Sequence, residues 1–299
     1  MTSYAFYGAV EQGFAYGLMV IGVYLTFRVL DFPDLTVDGS LPLGAAVSAV
    51  AITSGYSPIL SIFMATCAGF VAGMVTGILN TKFKILHLLA SILTMIALYS
   101  INLRIMGRPN MTLLGKDTVV DRFIEFSGIA PYFSTPILFG IICAVSVGIL
   151  IWFLHTELGL SFLATGDNMQ MITSQGVNTD TVIIFGVGLS NAMVATTGAL
   201  VAQNQGAADV NMGVGTIIAG LASVIIGETV FGDKTISRAI IAALLGSVLY
   251  RIAIALALGM KLGSFSITPS DLNLITALLV IFALIMPKMK QKFIAARAQ

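Results

Sequence analysis

The chain has 299 residues, of which 57% are apolar and only 10% are charged, and its mean hydropathy is +0.97. A soluble domain carries about 25% charged residues, so this composition excludes a soluble fold and indicates a chain that lies in lipid. The net charge of +1 argues against electrostatic binding of nucleic acid, which is not expected among its partners.

Apolar runs of membrane-spanning length recur along the chain, and each approaches the roughly 20 residues that a helix needs to cross the hydrocarbon core. Residues 1–7 carry no basic side chain, which predicts that the first run is a permanent anchor and not a cleaved signal peptide. The predicted spans are residues 8–29, 57–80, 85–106, 132–154, 181–202, 213–231, 238–258 and 270–287.

Residues 31–54 have a different pattern from these runs. Their apolar part, residues 41–53, is too short to cross as a plain helix and carries Pro42 and Gly44 near its start. One interpretation is a discontinuous span, part extended and part helical, whose freed backbone is satisfied by protein or by a water-filled path. The other is an ordinary polar loop followed by a short helix, and both interpretations stay open.

A weak internal repeat relates the two halves of the chain. An apolar span, a polar glycine-bearing break and a small-residue helix occur in both, with the breaks at residues 38–44 and 209–215. The preceding spans, 8–29 and 181–202, are predicted to run in opposite directions, as in transporters that frame a path near the bilayer midplane. The predicted fold class is an all-α polytopic membrane protein with about 8–10 transmembrane helices, discontinuous helices and two pseudo-symmetric halves.

Basic side chains set the predicted orientation. The tail after the last run carries four of them, which places it in the cytoplasm by the positive-inside bias. Counting nine spans back from the tail places loop 155–180 in the cytoplasm and loop 107–131 outside. The four basic residues are Lys288, Lys290, Lys292 and Arg297.

A polar, glycine-punctuated stretch at residues 158–181 interrupts the apolar runs. Its middle, residues 167–174, is predicted to form a short helix that Asp167 or Asn168 caps and that Gly176 ends in a left-handed turn. On the cytoplasmic side such a helix offers a docking knob to a soluble partner. The simpler alternative is a solvated connector.

Small residues within the spans indicate how the helices pack. Gly69, Gly73 and Gly77 are four residues apart, a spacing that lets helices approach closely in lipid, either inside one chain or at a dimer seam. Cys67 and Cys143 lie in apolar runs and are predicted to be small core residues without disulfide or metal-ligand spacing.

Groups that could carry catalysis are scarce. His87 and His155 lie in separate segments, and no His, Cys or Glu cluster has metal-ligand spacing. Residues 115–117 and 232–235 resemble a phosphate-binding loop only in part and do not fit its pattern. We therefore predict no enzymatic activity and no cofactor bound by this chain, so that any ATP is bound by a partner subunit.

Charged residues inside spans are costly in lipid, which makes each a candidate for function. Arg28 is predicted to snorkel to the interface or to pair with Asp31. Arg251 lies deeper, where it meets either a structural partner or the carboxylate of a passing substrate.

Polar residues at the two breaks and on one span complete the candidate path. Asn191 and Gln203 line the path or bridge helices. The aspartates at the breaks could instead cap helix starts. The predicted substrate-pathway residues are Asp34, Asp38, Asn191, Gln203, Asp209 and Arg251.

One motif resembles a known family. Gly159, Ala164, Gly166, Asn168, Gly176 and Asn178 fit the pattern Gly-x4-Ala-x-Gly-x-Asn-x7-Gly-x-Asn. That pattern resembles the cytoplasmic coupling segment of permeases in the branched-chain amino acid and ribose class of ABC importers. Residues 28–40 and 249–255 resemble the branch described as tryptophan- or tyrosine-type uptake permeases.

The resemblance implies a bacterial inner-membrane permease, with residues 1–299 as one transmembrane domain and residues 155–180 as its coupling segment. It implies a homodimeric pore, an ATP-binding-cassette ATPase docked on each coupling segment, and a solute-binding protein or lipoprotein that delivers an amino acid. The residues expected to couple to the ATPase are Gly159, Ala164, Gly166, Asp167, Asn168 and Gly176.

Two other function classes compete with this prediction. An ion-coupled secondary transporter of a small polar solute usually buries acidic residues or histidines at mid-depth, whereas the acids of this chain are expected near span ends. A non-transporting scaffold or lipid-handling subunit is the other alternative. The preferred prediction is a permease subunit without its own nucleotide-hydrolysing site.

Overall fold

The computed structural model describes residues 3–259, together with residues 261–262, 265–266, 277–278, 281 and 285. The predicted span 270–287, apart from those single positions, and the basic tail lie outside the described residues.

Helices make up most of the described chain, and two short antiparallel strand pairs accompany them. The helices are α1 Ser3–Tyr24, α2 Val37–Thr53, α3 Pro58–Thr81, α4 His87–Met106, α5 Val119–Ser127, α6 Pro131–Leu154, α7 Glu157–Asp167, α8 Met169–Ser174, α9 Thr179–Gln205, α10 Thr216–Phe231 and α11 Ile236–Gly259. A π-helical turn, Leu25–Val29, continues α1. The strands are β1 Asn110–Thr112, paired with β2 Ala207–Asp209, and β3 Lys261–Leu262, paired with β4 Phe265–Ser266.

Within the described residues, six helices are long and apolar enough to cross a membrane, namely α1 with its π-helical turn, α3, α4, α6, α9 and α11. The predicted all-α polytopic fold is therefore confirmed. The run 213–231 was predicted to span, but its helix α10 begins only at Thr216 and has 16 residues, about 24 Å. Both α10 and the 17-residue α2 are shorter than a full crossing.

Three glycines hold α3 against α9. A Cβ atom at Gly69 would meet Asn191 and Ala195, and a Cβ at Gly73 would meet the Val187 carbonyl oxygen. Because Gly77 approaches Ile184 in the same way, the two helices run antiparallel at close range. The glycine spacing therefore serves packing inside one chain, as the first of its two interpretations predicts.

The helices α1 and α9 also run antiparallel. Ser190 Oγ donates a 2.7 Å hydrogen bond to the Gly22 carbonyl, and the Asn204 side chain donates to Glu11 nearer the start of α1. On the other side of α1, α11 packs so closely that a Cβ at Gly17 would meet Leu244. Thus α11 packs on α1 as α3 packs on α9, which agrees with the predicted pseudo-symmetric halves.

Helix α2 begins beside the middle of α9 and runs parallel to it. Ser40 Oγ donates a 2.7 Å hydrogen bond to Asn191 Oδ1, and Gln203 Nε2, further along α9, donates a 3.0 Å bond to Ser48 Oγ. A Cβ at Gly198 would meet the Leu41 carbonyl oxygen, so no larger residue fits between the two backbones.

Residues 30–36 precede α2 and lead to its contact with α9 as a non-helical segment. Phe32 is 1% exposed, and Asp34 and Thr36 are fully buried. This burial contradicts the solvated polar loop and supports the discontinuous span, part extended and part helical. The helical part begins at Val37, four residues earlier than the apolar residues 41–53 suggested.

Two further details differ from the sequence-based predictions. Residues 107–131, read as a plain loop, contain β1 and the helix α5, whose start carries a capping box formed by Thr118 and Asp121. Cys143 is buried as predicted, but Cys67 is exposed on α3. Cys67 therefore lies on the outer face of α3 and not in the core.

Candidate functional site

The middle of α9 carries a buried polar cluster. Asn191 Nδ2 donates a 2.7 Å hydrogen bond to Asp34 Oδ2, and the Thr36 backbone N–H donates a 2.9 Å bond to Asp34 Oδ1. Ser40 Oγ completes the cluster by donating to Asn191 Oδ1. Two predicted pathway residues, Asp34 and Asn191, thus touch, and both are fully buried.

Asp38 joins the two breaks of the chain. Its carboxylate accepts hydrogen bonds from the backbone N–H groups of Gly215, at 3.0 Å, and Ile217, at 2.9 Å, and from the Thr216 hydroxyl, at 3.0 Å. Asp38 therefore caps α10 and not a helix of its own half. The backbones also touch, because a Cβ at Gly213 would meet the Asp38 carbonyl oxygen.

Both short helices start at mid-depth. Helix α2 begins beside Asn191, in the middle of α9, and Thr216 at the start of α10 lines a cavity with Tyr16, which lies in the middle of the span Tyr4–Val29. The positive ends of two helix dipoles thus converge within the membrane layer. Asp34 and Asp38 lie at this depth, so the expectation that the acids cluster near span ends was wrong.

A cavity of about 400 Å³ opens beside Asp38. Tyr99, Ser100 and Asn102 of α4 contribute to its wall. Polar groups at mid-depth beside a cavity are suited to bind and release a small solute.

Gln203 and Asp209 lie nearer the end of α9. Gln203 is 3% exposed, and its side chain donates to Ser48 and Ser61 and accepts a 2.9 Å bond from the Val119 backbone N–H, which ties α5 to the helix bundle. Asp209 bonds Asn110 Nδ2 across the strand pair β1–β2. The structure thus brings together Asp34, Asp38 and Asn191 and leaves Gln203 and Asp209 apart from them.

Arg251 lies on α11 and lines a second cavity, of about 330 Å³, together with Tyr16 and Thr216. Its guanidinium carbon is 4.0 Å from the centre of the Tyr16 ring, and its Nη1 donates a 3.5 Å hydrogen bond to Gln12 Oε1. These neighbours belong to α1 and to the start of α10.

The predicted coupling segment, residues 155–180, contains two helices where one was predicted. The expected helix at residues 167–174 is observed as α8, Met169–Ser174, and the longer α7 precedes it. Of the two candidate caps, Asn168 caps α8, because its Oδ1 accepts a 2.9 Å hydrogen bond from the Met171 N–H. Gly176 follows the helix with φ +89°, the left-handed conformation expected of it.

Two glycines of this segment contact neighbouring backbone directly. A Cβ at Gly159 would meet the Phe153 carbonyl oxygen at the end of α6, and a Cβ at Gly166 would meet the Val29 carbonyl oxygen of the π-helical turn. Ala164 and Asp167 line a cleft of about 750 Å³ between α7 and that turn. The small residues of the motif thus have a steric reason at Gly159 and Gly166.

Exposed side chains on α8 form a small apolar knob. Met169 is 43% exposed and Met171 is 46% exposed, while Ile172 is buried and anchors the helix. Asp167 and Asn168 are also exposed beside the knob. The segment therefore has a buried base and an exposed outer face.

Sequence reasoning missed two features of the site. Arg28 pairs with Glu228 of α10 and not with Asp31. Ser40 lies in the first break, and its bond to Asn191 was not predicted. Both contacts join residues far apart in the chain, and only the internal repeat hinted that the two breaks meet.

Comparisons with known proteins point to one family. The family model of the permease component of branched-chain amino acid transport systems matches residues 6–286. The chain is 43% identical to a tyrosine transport system permease protein of Clostridioides difficile (strain R20291). The match extends over 272 residues, which is 91% of this chain and 88% of that protein.

More distant relatives extend the comparison. An uncharacterised protein of Rickettsia prowazekii (strain Madrid E) is 31% identical over 280 residues, 92% of this chain and 95% of that protein. An autoinducer 2 import system permease protein of Yersinia pseudotuberculosis (serotype O:3, strain YPIII) is 28% identical over 236 residues, 76% of this chain and 64% of that protein. No solved structure matches the chain.

Proposed function

Because this chain belongs to the family of branched-chain amino acid transport system permease components, we propose that it carries a free amino acid across the membrane. It is a multi-pass permease subunit of an ATP-binding-cassette transporter in the bacterial plasma membrane. The name of the 43% identical relative, a tyrosine transport system permease protein, supports an amino acid as cargo. The polar groups at mid-depth beside the 400 Å³ cavity are consistent with a small zwitterionic solute.

The observation that carries the mechanism is the packing of the coupling segment against the π-helical turn. Gly166 lies directly on the Val29 carbonyl oxygen, in a packing that no side chain could occupy. We propose that the ATPase subunit docks on the exposed face of α8 and in the cleft beside α7. The exposed Met169 and Met171 supply an apolar contact, and Asp31 and Asp167 supply negative charge for a basic partner residue.

A continuous chain of contacts leads from Gly166 to the polar cluster at Asp34 and Asn191. The π-helical turn that touches Gly166 continues into residues 30–36, which carry Asp34. Phe162 of α7 also packs where a Cβ at Gly186 of α9 would lie. We propose that movement of α7 shifts these residues and opens the path to one side of the membrane, because packed elements transmit displacement.

The remaining parts of the transporter are supplied by other subunits. We propose that the ATPase subunit binds the nucleotide and that this chain binds neither nucleotide nor cofactor. An external solute-binding protein or lipoprotein would deliver the cargo, and a second copy of this chain would complete the pore. The family membership of the chain supports these partners, and the resemblance of the coupling motif supports the homodimer.

The docking surface can be tested with one pair of matched variants. Met171→Glu places a charge on the proposed contact, whereas Leu114→Glu makes the same change at an 85% exposed residue far from it in the chain. In the complex with its ATPase and binding protein, Met171→Glu should lower ATPase retention and ATP-driven amino acid uptake at least tenfold. Leu114→Glu should retain the ATPase normally.

Gly186→Val tests the transmission of movement separately from docking, because Gly186 contacts Phe162 of α7 and Leu30 but does not line the cleft. The ATPase should still bind this variant, but ATP hydrolysis should no longer drive uptake. Normal uptake in both Met171→Glu and Gly186→Val would overturn the proposed role of the coupling segment.

A further inference from the structure

Arg251 stands in the middle of the membrane layer. It lies about 22 Å along α11 from Ile236, and its guanidinium rests on Tyr16, in the middle of the span Tyr4–Val29. The span ends at Ala257, about 9 Å further along α11, and the contact with Tyr16 directs the guanidinium toward α1. The side chain therefore packs against a neighbouring helix of the same chain.

Within residues 3–259, no carboxylate lies within ion-pair distance of Arg251. The three ion pairs found there join Arg28 to Glu228, and Lys82 and Lys84 to Asp180. The contacts of Arg251 in this part of the chain are instead the neutral Gln12 side chain and the Tyr16 ring. An arginine inside a membrane normally faces water, a carboxylate or a substrate path, because its burial in lipid is costly.

The cavity beside Arg251 has the size and chemistry of a small-ligand site. Its volume of about 330 Å³ lies at the lower end of the range that holds small ligands. The aromatic residues Tyr16 and Tyr250 and the apolar Ile218 line it. A solute with one negative end and an apolar or aromatic body would match this lining.

The start of α10 also borders the cavity, but it is not the anion receptor. Asp38 already accepts the N–H groups of Gly215 and Ile217, so the positive end of the helix dipole is neutralised there. The guanidinium of Arg251 is therefore the group that can bind an anion, with up to two parallel N–H donors for a carboxylate.

We infer that the cavity between α1, α10 and α11, which Ala277 also lines, is a subsite for the carboxylate of the transported amino acid, held by Arg251. This inference rests on the proposed amino acid cargo and deepens it by naming the group that is bound and the residue that binds it. Tyr16 holds the guanidinium in place through its ring face.

Charge-selective labelling tests the subsite without transport. In a background with Cys67→Ala and Cys143→Ala, Ile218→Cys places a thiol on the cavity wall. The rates of reaction with an anionic and a cationic methanethiosulfonate reagent are compared on purified protein in nanodiscs. Ala219→Cys, on the same wall, replaces Ile218→Cys if that thiol fails to react.

We expect Arg251→Gln to lower the anionic-to-cationic rate ratio about tenfold, because one positive charge near the thiol is lost. Arg251→Lys should keep most of the ratio. Arg104→Gln removes an exposed charge of α4 and should leave the ratio unchanged. Millimolar tyrosine should slow labelling more than tyramine does, since tyramine lacks the carboxylate, and Arg251→Gln should abolish that difference.

An unchanged ratio in Arg251→Gln, or equal protection by tyrosine and tyramine, would overturn the subsite. Uptake by the complete transporter separates this failure from failure of the proposed function. If ATP drives amino acid uptake equally well with Arg251 and with Arg251→Gln, the function stands and the subsite is wrong. If the complete transporter takes up no amino acid, the function is wrong whatever the labelling shows.

Discussion

The side-chain amide of Asn191 donates a 2.7 Å hydrogen bond to the carboxylate of Asp34, a residue 157 positions earlier in the chain. This bond joins the middle of α9 to the extended segment that precedes α2. It also lies on the contact chain that leads from Gly166 through Val29 toward the candidate path. The mid-depth cluster therefore links the predicted coupling segment to the start of α2.

Asn191→Ala should destabilise the protein by about 1–3 kcal/mol, because it removes a donor from a buried carboxylate. The free energy of unfolding can be measured by sodium dodecyl sulfate titration in mixed micelles. Asn211→Ala, at an exposed asparagine, is the matched control and should change it by less than about 0.5 kcal/mol. Equal effects of the two variants would contradict the proposed importance of the Asp34–Asn191 bond.

Gly73→Ala should destabilise the contact between α3 and α9, since the new methyl group would overlap the Val187 carbonyl oxygen. Overpacking of this kind costs about 1–3 kcal/mol. Gly148→Ala is the control, because nothing lies within 4 Å of a Cβ at that position of α6. The same titration should find Gly148→Ala neutral or slightly stabilising. If Gly73→Ala left the free energy of unfolding unchanged, the close contact between α3 and α9 would not matter for stability.

Arg28 and Glu228 should show measurable coupling in a double-mutant cycle. The pair forms two hydrogen bonds, and Glu228 is only 11% exposed, but Arg28 is 53% exposed. Solvent screening therefore limits the expected coupling to about 0.5–1 kcal/mol. The Lys82–Asp180 pair, at 3.5 Å, is the comparison and should couple more weakly. The exchange of both residues, R28E with E228R, should recover part of the stability that either single change loses.

Thiol labelling in intact cells tests the side of the membrane on which the coupling segment lies. Gln170→Cys, on the exposed face of α8, should react with an impermeant maleimide only after the cells are opened. Leu114→Cys, in the loop predicted to lie outside, should react in intact cells. Both variants are made in a background with Cys67 and Cys143 replaced. Labelling of Gln170→Cys in intact cells would contradict the cytoplasmic docking of an ATPase.

Most helices could be predicted from the sequence, because a continuous apolar run of about 20 residues has few stable alternatives in lipid. The predicted run 132–154 and the observed α6, Pro131–Leu154, differ by one residue. Boundaries were less accurate in polar stretches. There the backbone can bond to water or side chains instead of to itself, and α7 was missed for that reason.

The candidate site was only partly predictable. Asp38 was expected to cap a helix start, which it does, but the helix is α10 and not one of its own half. Arg28 was predicted to snorkel to the interface or to pair with Asp31, three residues later, whereas it pairs with Glu228. Local spacing identifies the residue types that need partners, but it does not identify the partner when the partner comes from a distant helix.

Composition and the length of the apolar runs by themselves determined that the chain is a helical membrane protein, because no other solvent accommodates so much apolar surface. The motif from Gly159 to Asn178 by itself indicated the permease family. Only the tertiary structure decided that α2 and α10 begin together at mid-depth and that Asp38 joins them. The physical reason is that the close packing of α9 against α2 and α3 depends on glycines and carbonyl oxygens meeting across helices, a relationship that exists only after the chain has folded.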